Sequence, residues 1–215
     1  MKKFYWDLET SPLDDEQLLN KLMPDFTAAS NVKDPVKIAT AIEEKKKDWL
    51  DKTALKAITG KIVAVTMAKD GAEPILAASL EDEKGLIEVI LHELKNVISD
   101  NSQAYAWNGS GFDLPFLCQR AAVHGVTAFK DLTQQRGARF SWNENLIDPK
   151  LVWSNYSPDH TGTSLKSVAL ALGVGEKSGS GKDFAGLLKT NPDEAKAYAL
   201  NDVNLLRSIV QRMGI

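Results

Sequence analysis

The stretch that most constrains this chain is Phe4-Tyr5-Trp6-Asp7-Leu8-Glu9-Thr10, an apolar run that ends in two carboxylates one residue apart. In an extended strand the side chains alternate between faces, so Asp7 and Glu9 point one way while Leu8 turns into the core. Two like charges side by side at the end of a buried strand repel unless a cation lies between them. A divalent metal such as Mg²⁺ or Mn²⁺ would serve, because carboxylate oxygens are its preferred ligands. A strand that runs out into an acidic, solvated turn fits the same residues. The stretch alone leaves both readings open.

A chain of 215 residues can bury a sizeable core, and we read 1–215 as one domain. With 43% hydrophobic and 26% charged residues it has the composition of a soluble globular protein. No apolar run reaches the length that spans a bilayer. Met1-Lys2-Lys3 runs into Phe4-Tyr5-Trp6 and then into charge, which is too short for a signal-peptide core. Cys118 is the only cysteine, which excludes an internal disulfide and a cysteine-based zinc cluster. A cytoplasmic location with no membrane partner is the expectation. The net charge of −3 argues against coating nucleic acid by bulk electrostatics. An acidic site that borrows its positive charge from bound metals can nevertheless act on nucleic acid.

In chain order, Lys2–Asp7 reads as a strand, and Asp14 to about Ile58 as a polar, helical insertion before the second strand. Asp34-Pro35 is a helix start, with Asp34 as N-cap, and Ile38, Ile42 and Trp49 continue that helix. Glu43 to Lys47 would be its solvated face. Lys61–Met67, and Glu73–Ala77 beyond the Asp70-Gly71 turn, predict two more strands in an antiparallel meander with the first. Leu86, Ile90, Leu94 and Val97 mark a helix, and Gln103–Trp107 a strand. A helix from near Leu114-Pro115 through Val123 follows, and the stretch to about Asn145 is poorly periodic. Leu146-Ile147-Asp148 reads as a short strand, with Asp148 ending it in a turn before Pro149. Ser164–Leu172 is a helix stopped by Gly173, Gly175–Lys182 a glycine- and serine-rich loop, and Asn191-Pro192 to Met213 the last helix. Strands in a meander followed by helix–strand–helix alternation predict an α/β fold with a mixed sheet flanked by helices.

Two further signals carry chemistry. Asn108-Gly109-Ser110-Gly111-Phe112-Asp113 follows a strand and opens a helix, which also suits Asp113 as an ordinary N-cap. Tyr198-Ala199-Leu200-Asn201-Asp202 puts a phenol and a carboxylate one turn apart on one helix face, which also suits a half-buried tyrosine beside a solvated aspartate. Asp-x-Glu on a strand, Asn-x₃-Phe-Asp after a later strand and Tyr-x₃-Asp on the last helix, in this order, resemble the three exonuclease motifs of the DEDD superfamily. The likeness is to its tyrosine branch, found in proofreading domains of family A and B DNA polymerases and in stand-alone, polymerase-B-like predicted 3′–5′ exonucleases. Ser164 to Ala169 and the glycine-rich loop also look like that group. The related histidine branch has a histidine where this chain has Ala197.

The resemblance implies an RNase H-like fold, a five-stranded mixed sheet with the first strand central. It implies hydrolysis of single-stranded DNA from its 3′ end to nucleoside 5′-monophosphates, with RNA as the alternative substrate and a non-catalytic binding module as the alternative role. Two divalent cations, Mg²⁺ or Mn²⁺, would activate water and relieve charge on the phosphoryl and leaving oxygens. By the same resemblance Asp7 would bridge the two ions, Glu9 and Asp202 would complete one site, and Asp113 would hold the other. Tyr198 would orient the attacking water, since a phenol is a poor general base at neutral pH. Leu8, Thr10, Asn108 and Phe112 would grip the terminal nucleotide with little sequence preference. A separate polymerase or replication protein is a further implied partner. Trp142, Trp153 and Tyr156 are candidate stacking platforms, although at least two of them read more simply as core aromatics.

Overall fold

The computed structural model describes residues 2–128, 132, 144–157, 163–177 and 184–215. Trp142 and most of the poorly periodic stretch before Asn145 lie outside these residues, as do 178–182 of the glycine-rich loop. Strand β1 (Lys3–Pro12) is central. β2 (Gly60–Lys69) pairs with it antiparallel, and β3 (Ile75–Ala78) pairs antiparallel with β2. On the other edge β4 (Gln103–Tyr105) and β5 (Leu146–Ile147) add in parallel. The order β3-β2-β1-β4-β5 is the expected mixed sheet of five strands.

Side-chain alternation along β1 builds the layers. Phe4, Trp6 and Leu8 pack with Ile62, Val65 and Met67 of β2 against helices α3 (Glu83–Ser99) and α4 (Asp113–Val123). Tyr5 faces the other way. That side is covered by α6 (Leu165–Leu172), α7 (Phe184–Thr190) and α8 (Pro192–Met213), through Val168, Phe184, Val203, Leu206 and Ile209. The alternation breaks once. Glu9 pairs with Ala64 but Thr10 with Ile62, so Val63 is an extra residue, and Val63 and Ala64 both pack toward α7 and α8. Such a bulge bends the pair and re-aims the side chains beside it.

Caps set the helix ends largely as their sequences predict. Asp34 accepts from Val36 N at 2.9 Å with Pro35 in the first turn, Ser164 accepts from Ser167 N, and Gly173 closes α6 in the left-handed region. The sequence pattern does not predict α7. It is only seven residues long, and Phe184 and Tyr198 meet with ring centroids 6.2 Å apart. Between β1 and β2, α1 (Glu16–Leu22) buries only Leu19. α2 (Pro35–Leu50) buries no residue, and Ile38, Ile42 and Trp49 are half covered. A 3-10 turn at Thr53–Leu55 then brings the chain back to the sheet, where Leu13 N donates to Thr59 O at 3.0 Å. No helix among the described residues is long and apolar enough to cross a membrane.

A buried charge network fastens that return to the core. Glu83 accepts from Arg120 Nε at 2.8 Å, Arg120 Nη2 at 2.6 Å and Ile62 N at 2.8 Å, and His124 Nε2 lies 2.7 Å away. Arg120 Nη1 donates to Ala57 O at 3.0 Å, tying α4 to the residues behind the 3-10 turn. Burial alone would raise the Glu83 carboxyl, but these bonds hold it below the usual carboxylate range. Removing one partner leaves a buried charge uncompensated. Arg120→Ala should therefore cost about 3–5 kcal/mol in urea unfolding, and a loss below about 1 kcal/mol would contradict this account.

Candidate active site

β4 stops at Tyr105 while β1 continues to Pro12, so the outer half of β1 is unpaired on that edge. Asp7 and Glu9 project there toward the α8 face, opposite Thr66 and Ala64 of β2. Helix α8 presents Tyr198 and Asp202 one turn apart. Oxygens of Asp7, Glu9 and Asp202 all lie within 4.8 Å of one another. Glu9, Tyr198 and Asp202 are buried and Asp7 is half-buried.

Asp113 enters from the strand's other side. It is not the helix cap that its sequence context also suits. Phe112 holds the cap position of α4 without a side-chain bond, and Asp113 is the first helical residue. Its Oδ1 accepts from Leu8 N at 3.2 Å, satisfying an amide on the edge that β4 leaves open. Asp113 stands outside the Asp7–Glu9–Asp202 group, and its carboxyl is raised by burial first and then by the nearby Asp7 charge. Asn108 precedes it in a turn with φ of 61°, and its Oδ1 accepts from Lys150 Nζ at 3.0 Å. A Cβ on Gly111 would come within 2.8 Å of that oxygen, so the side chain folds over a glycine.

Lys177 is a site residue that sequence reasoning missed. Its Nζ lies 2.5 Å from Asp202 Oδ2 and 4.9 Å from the Tyr198 ring centroid. The segment carrying it is laid on α8: Asn201 Nδ2 donates to Glu176 O at 3.1 Å. Gly175 takes φ of 144°, and a Cβ there would meet Leu205 at 2.8 Å. A lysine in a glycine-rich loop carries no periodic signal, so only the fold reveals it.

Crowding sets the electrostatics. Burial, with the Asp202 charge beside it, pushes Asp7 up to about 7, against the pull of Lys177. Burial and the neighbouring Asp7 and Asp202 raise Glu9 well above the ordinary range. Burial raises Asp202 too, with Lys177 opposing. Tyr198 is pushed far up by burial and by Glu9 and Asp202, so its phenol keeps its proton. The donor set suits a hard divalent cation. Asp202 Oδ1 is buried without a hydrogen-bond partner, and a lysine ammonium already sits on Oδ2. Such an oxygen, beside Asp7 and Glu9, is one that a hard cation would satisfy.

The nine residues that the resemblance assigns to metals, water and the terminal nucleotide line one cleft of about 650 Å³: Asp7, Leu8, Glu9, Thr10, Asn108, Phe112, Asp113, Tyr198 and Asp202. Lys150, Lys177, Leu55, Trp107 and Ser164 join them. Trp153 and Tyr156 do not line it. Both are exposed, at 40% and 69%, which overturns the reading of them as core aromatics. They lie in and just beyond the one-turn helix α5 (Pro149–Trp153), which follows the sheet edge.

A central strand carrying two carboxylates, faced by a helix-borne tyrosine and aspartate, defines an RNase H-like α/β fold with an acidic cleft. The family described as predicted 3′–5′ exonucleases related to the exonuclease domain of PolB matches residues 52–203, and the chain belongs to it. That match takes in Asn108, Asp113, Tyr198 and Asp202 but begins beyond Asp7 and Glu9. The chain is also similar to the family B DNA polymerase from the hyperthermophilic archaeon Pyrobaculum calidifontis. The TM-score is 0.62 at 16% identity, over 99% of this chain and 24% of the polymerase, a likeness of fold. No curated protein matches the chain.

The acid cluster has a pH signature. Asp7 is raised in the folded state, so the stabilisation it gives the metal-free protein is full below its unfolded pKa and is lost as pH rises through about 7. A divalent ion must displace that proton. The rise in Tm on adding Mg²⁺ or Mn²⁺ should therefore be larger at pH 8 than at pH 6, and absent in Asp7→Asn. Equal shifts at both pH values would contradict the assignment.

Proposed function

We propose that the chain is a two-metal 3′–5′ exonuclease of the tyrosine branch of the DEDD superfamily, releasing nucleoside 5′-monophosphates from single-stranded DNA. The observation that carries this reading is the convergence of Asp7, Glu9 and Asp202 within 4.8 Å, beneath Tyr198 and beside Asp113 in one cleft. Asp7, Glu9 and Asp202 would hold one divalent cation, and Asp7 with Asp113 the second. When bound, the ions supply charge relief for the phosphoryl oxygens and activation of water.

The chain's own residues do the rest. Tyr198, kept protonated by burial and by Glu9 and Asp202, acts as a hydrogen-bond donor that orients the attacking water. Lys177 fixes the Asp202 carboxylate through its ion pair and brings positive charge beside Tyr198. Leu8 and Phe112 offer apolar surface to the terminal base, while Thr10 and Asn108 offer polar groups to its sugar and phosphate. These contacts carry little sequence information. We read residues 14–58 as an insertion in a single exonuclease domain. Leu55, in its last turn and 59% exposed, reaches the cleft and supports a role for the insertion at the substrate's edge.

The test is a 5′-labelled DNA oligonucleotide and its RNA twin, each incubated with Mg²⁺ or Mn²⁺. The expected outcome is a ladder shortening from the 3′ end, faster on DNA. EDTA should abolish it, and Asp7→Ala should lower the rate by at least about a thousandfold. Faster cleavage of RNA would move the substrate class. No cleavage of either strand by folded protein would overturn the enzyme reading.

A further inference from the structure

Lys150 lines the cleft, and Asp148, two residues before it and outside that lining, joins it in a polar group that the acid cluster does not use. Asp148 ends β5 and caps α5, and it is buried. Its carboxylate accepts from Lys150 N at 3.0 Å, Asn108 N at 3.0 Å, Ser110 N at 3.1 Å and Ser110 Oγ at 2.5 Å. One side chain thus binds the turn after β4 to the first turn of α5. That turn holds Asn108 at φ of 61°, a left-handed conformation that asparagine tolerates in turns better than most non-glycine residues. The simple strand-end turn expected of Asp148 is therefore a clamp between two strand ends.

The clamp aims Lys150. Its half-buried side chain lines the cleft, and Nζ donates to Asn108 Oδ1 at 3.0 Å. Among the described residues no carboxylate pairs with it, whereas Lys177 is neutralised by Asp202. Accepting from Lys150 also orients the Asn108 amide, whose oxygen faces the lysine and whose NH₂ is left to donate. An ammonium and an amide N–H presented side by side, with the positive charge uncompensated, match an anionic oxygen. Asn108 follows β4 and Lys150 follows β5, so both stand at the β4–β5 end of the sheet order.

Resting on the exonuclease reading, we propose that Lys150 is a substrate-contacting residue. It holds a backbone phosphate of the bound strand other than the scissile one, with Asp148 as its positioning residue. The contact is to phosphate, so it adds affinity without base preference.

The test measures binding of a fluorescein-labelled single-stranded DNA oligonucleotide to the full chain in EDTA. Asp7→Ala serves as the non-cleaving parent, and the salt concentration is varied. Adding Lys150→Ala should weaken binding about fivefold to tenfold at low salt. It should also make the slope of log affinity against log salt shallower by about 0.7, the value for one fewer neutralised phosphate on a single strand. Lys150→Arg should keep the parent slope. Asp148→Ala should weaken binding more in the Lys150 background than once Lys150 is alanine, where only its hold on Asn108 remains, a coupling that general loosening of the fold would not produce. An unchanged slope in Lys150→Ala would overturn the phosphate assignment. Equal weakening by Asp148→Ala in both backgrounds would overturn its positioning role. If the parent binds no strand and the unmodified chain cleaves none, the exonuclease reading and this inference fall together. Cleavage with an unchanged slope sinks only this inference.

Discussion

Asp7, Glu9 and Asp202 crowd within 4.8 Å at the mouth of a buried sheet, and like charges so placed cannot all ionise without a cation among them. The folded chain answers in part with one lysine, and Lys177 takes only one oxygen of Asp202. Burial raises every carboxylate of the group, and repulsion from neighbouring carboxylates raises Asp7 and Glu9 further. A site left in that state is unfavourable for stability and favourable for binding divalent ions. The cost is set against a core on both faces of the sheet, where Tyr5 and Leu206 on one side and Ile90 and Leu117 on the other are fully enclosed.

Geometry follows from β1. As the central strand it is held by β2 along its whole length, so Asp7 and Glu9 are placed by the most rigid part of the molecule. The shortness of β4 matters equally. Because it ends at Tyr105, the cleft opens beside β1, and Leu8 N is free to take Asp113 from α4. The bulge at Val63 bends β2 just where Glu9 and Thr10 face the cleft. Backbone irregularity and strand ending therefore act together to turn a sheet edge into a site.

Much of this was legible in the sequence, and the reasons are physical. The strand β1 could be read, as far as Asp7, because an apolar run leads into two carboxylates spaced to share one face; its continuation to Pro12 carries no such pattern. Tyr198 and Asp202 could be read because one helical turn separates them on a long helix with clear caps. Asp113 was ambiguous, since an aspartate before a first-turn proline is what a cap also looks like, and only the partner amide of Leu8 decides its direction. Lys150 and Lys177 were hidden, and Asp148 was legible as a turn residue but not as a clamp. Each lies in a loop or a single helical turn, where no periodicity reports which way a charged side chain points. Trp153 and Tyr156 failed for the opposite reason. Aromatic character suggests burial, but Trp153 ends a five-residue helix at the sheet edge and Tyr156 lies just beyond it, and both side chains stay exposed.

The central claim is that the acidic cleft holds two divalent cations, and the most direct measurement is a count and location of those ions. Crystals soaked in Mn²⁺ and measured near the manganese absorption edge should give two anomalous peaks. One is expected among Asp7, Glu9 and Asp202, with the Lys177 ammonium still on Asp202 Oδ2. The other is expected between Asp7 and Asp113. Crystals of folded protein that show no manganese in the cleft at saturating concentration would contradict the account, and would leave the cluster as an acidic patch neutralised by protons and Lys177.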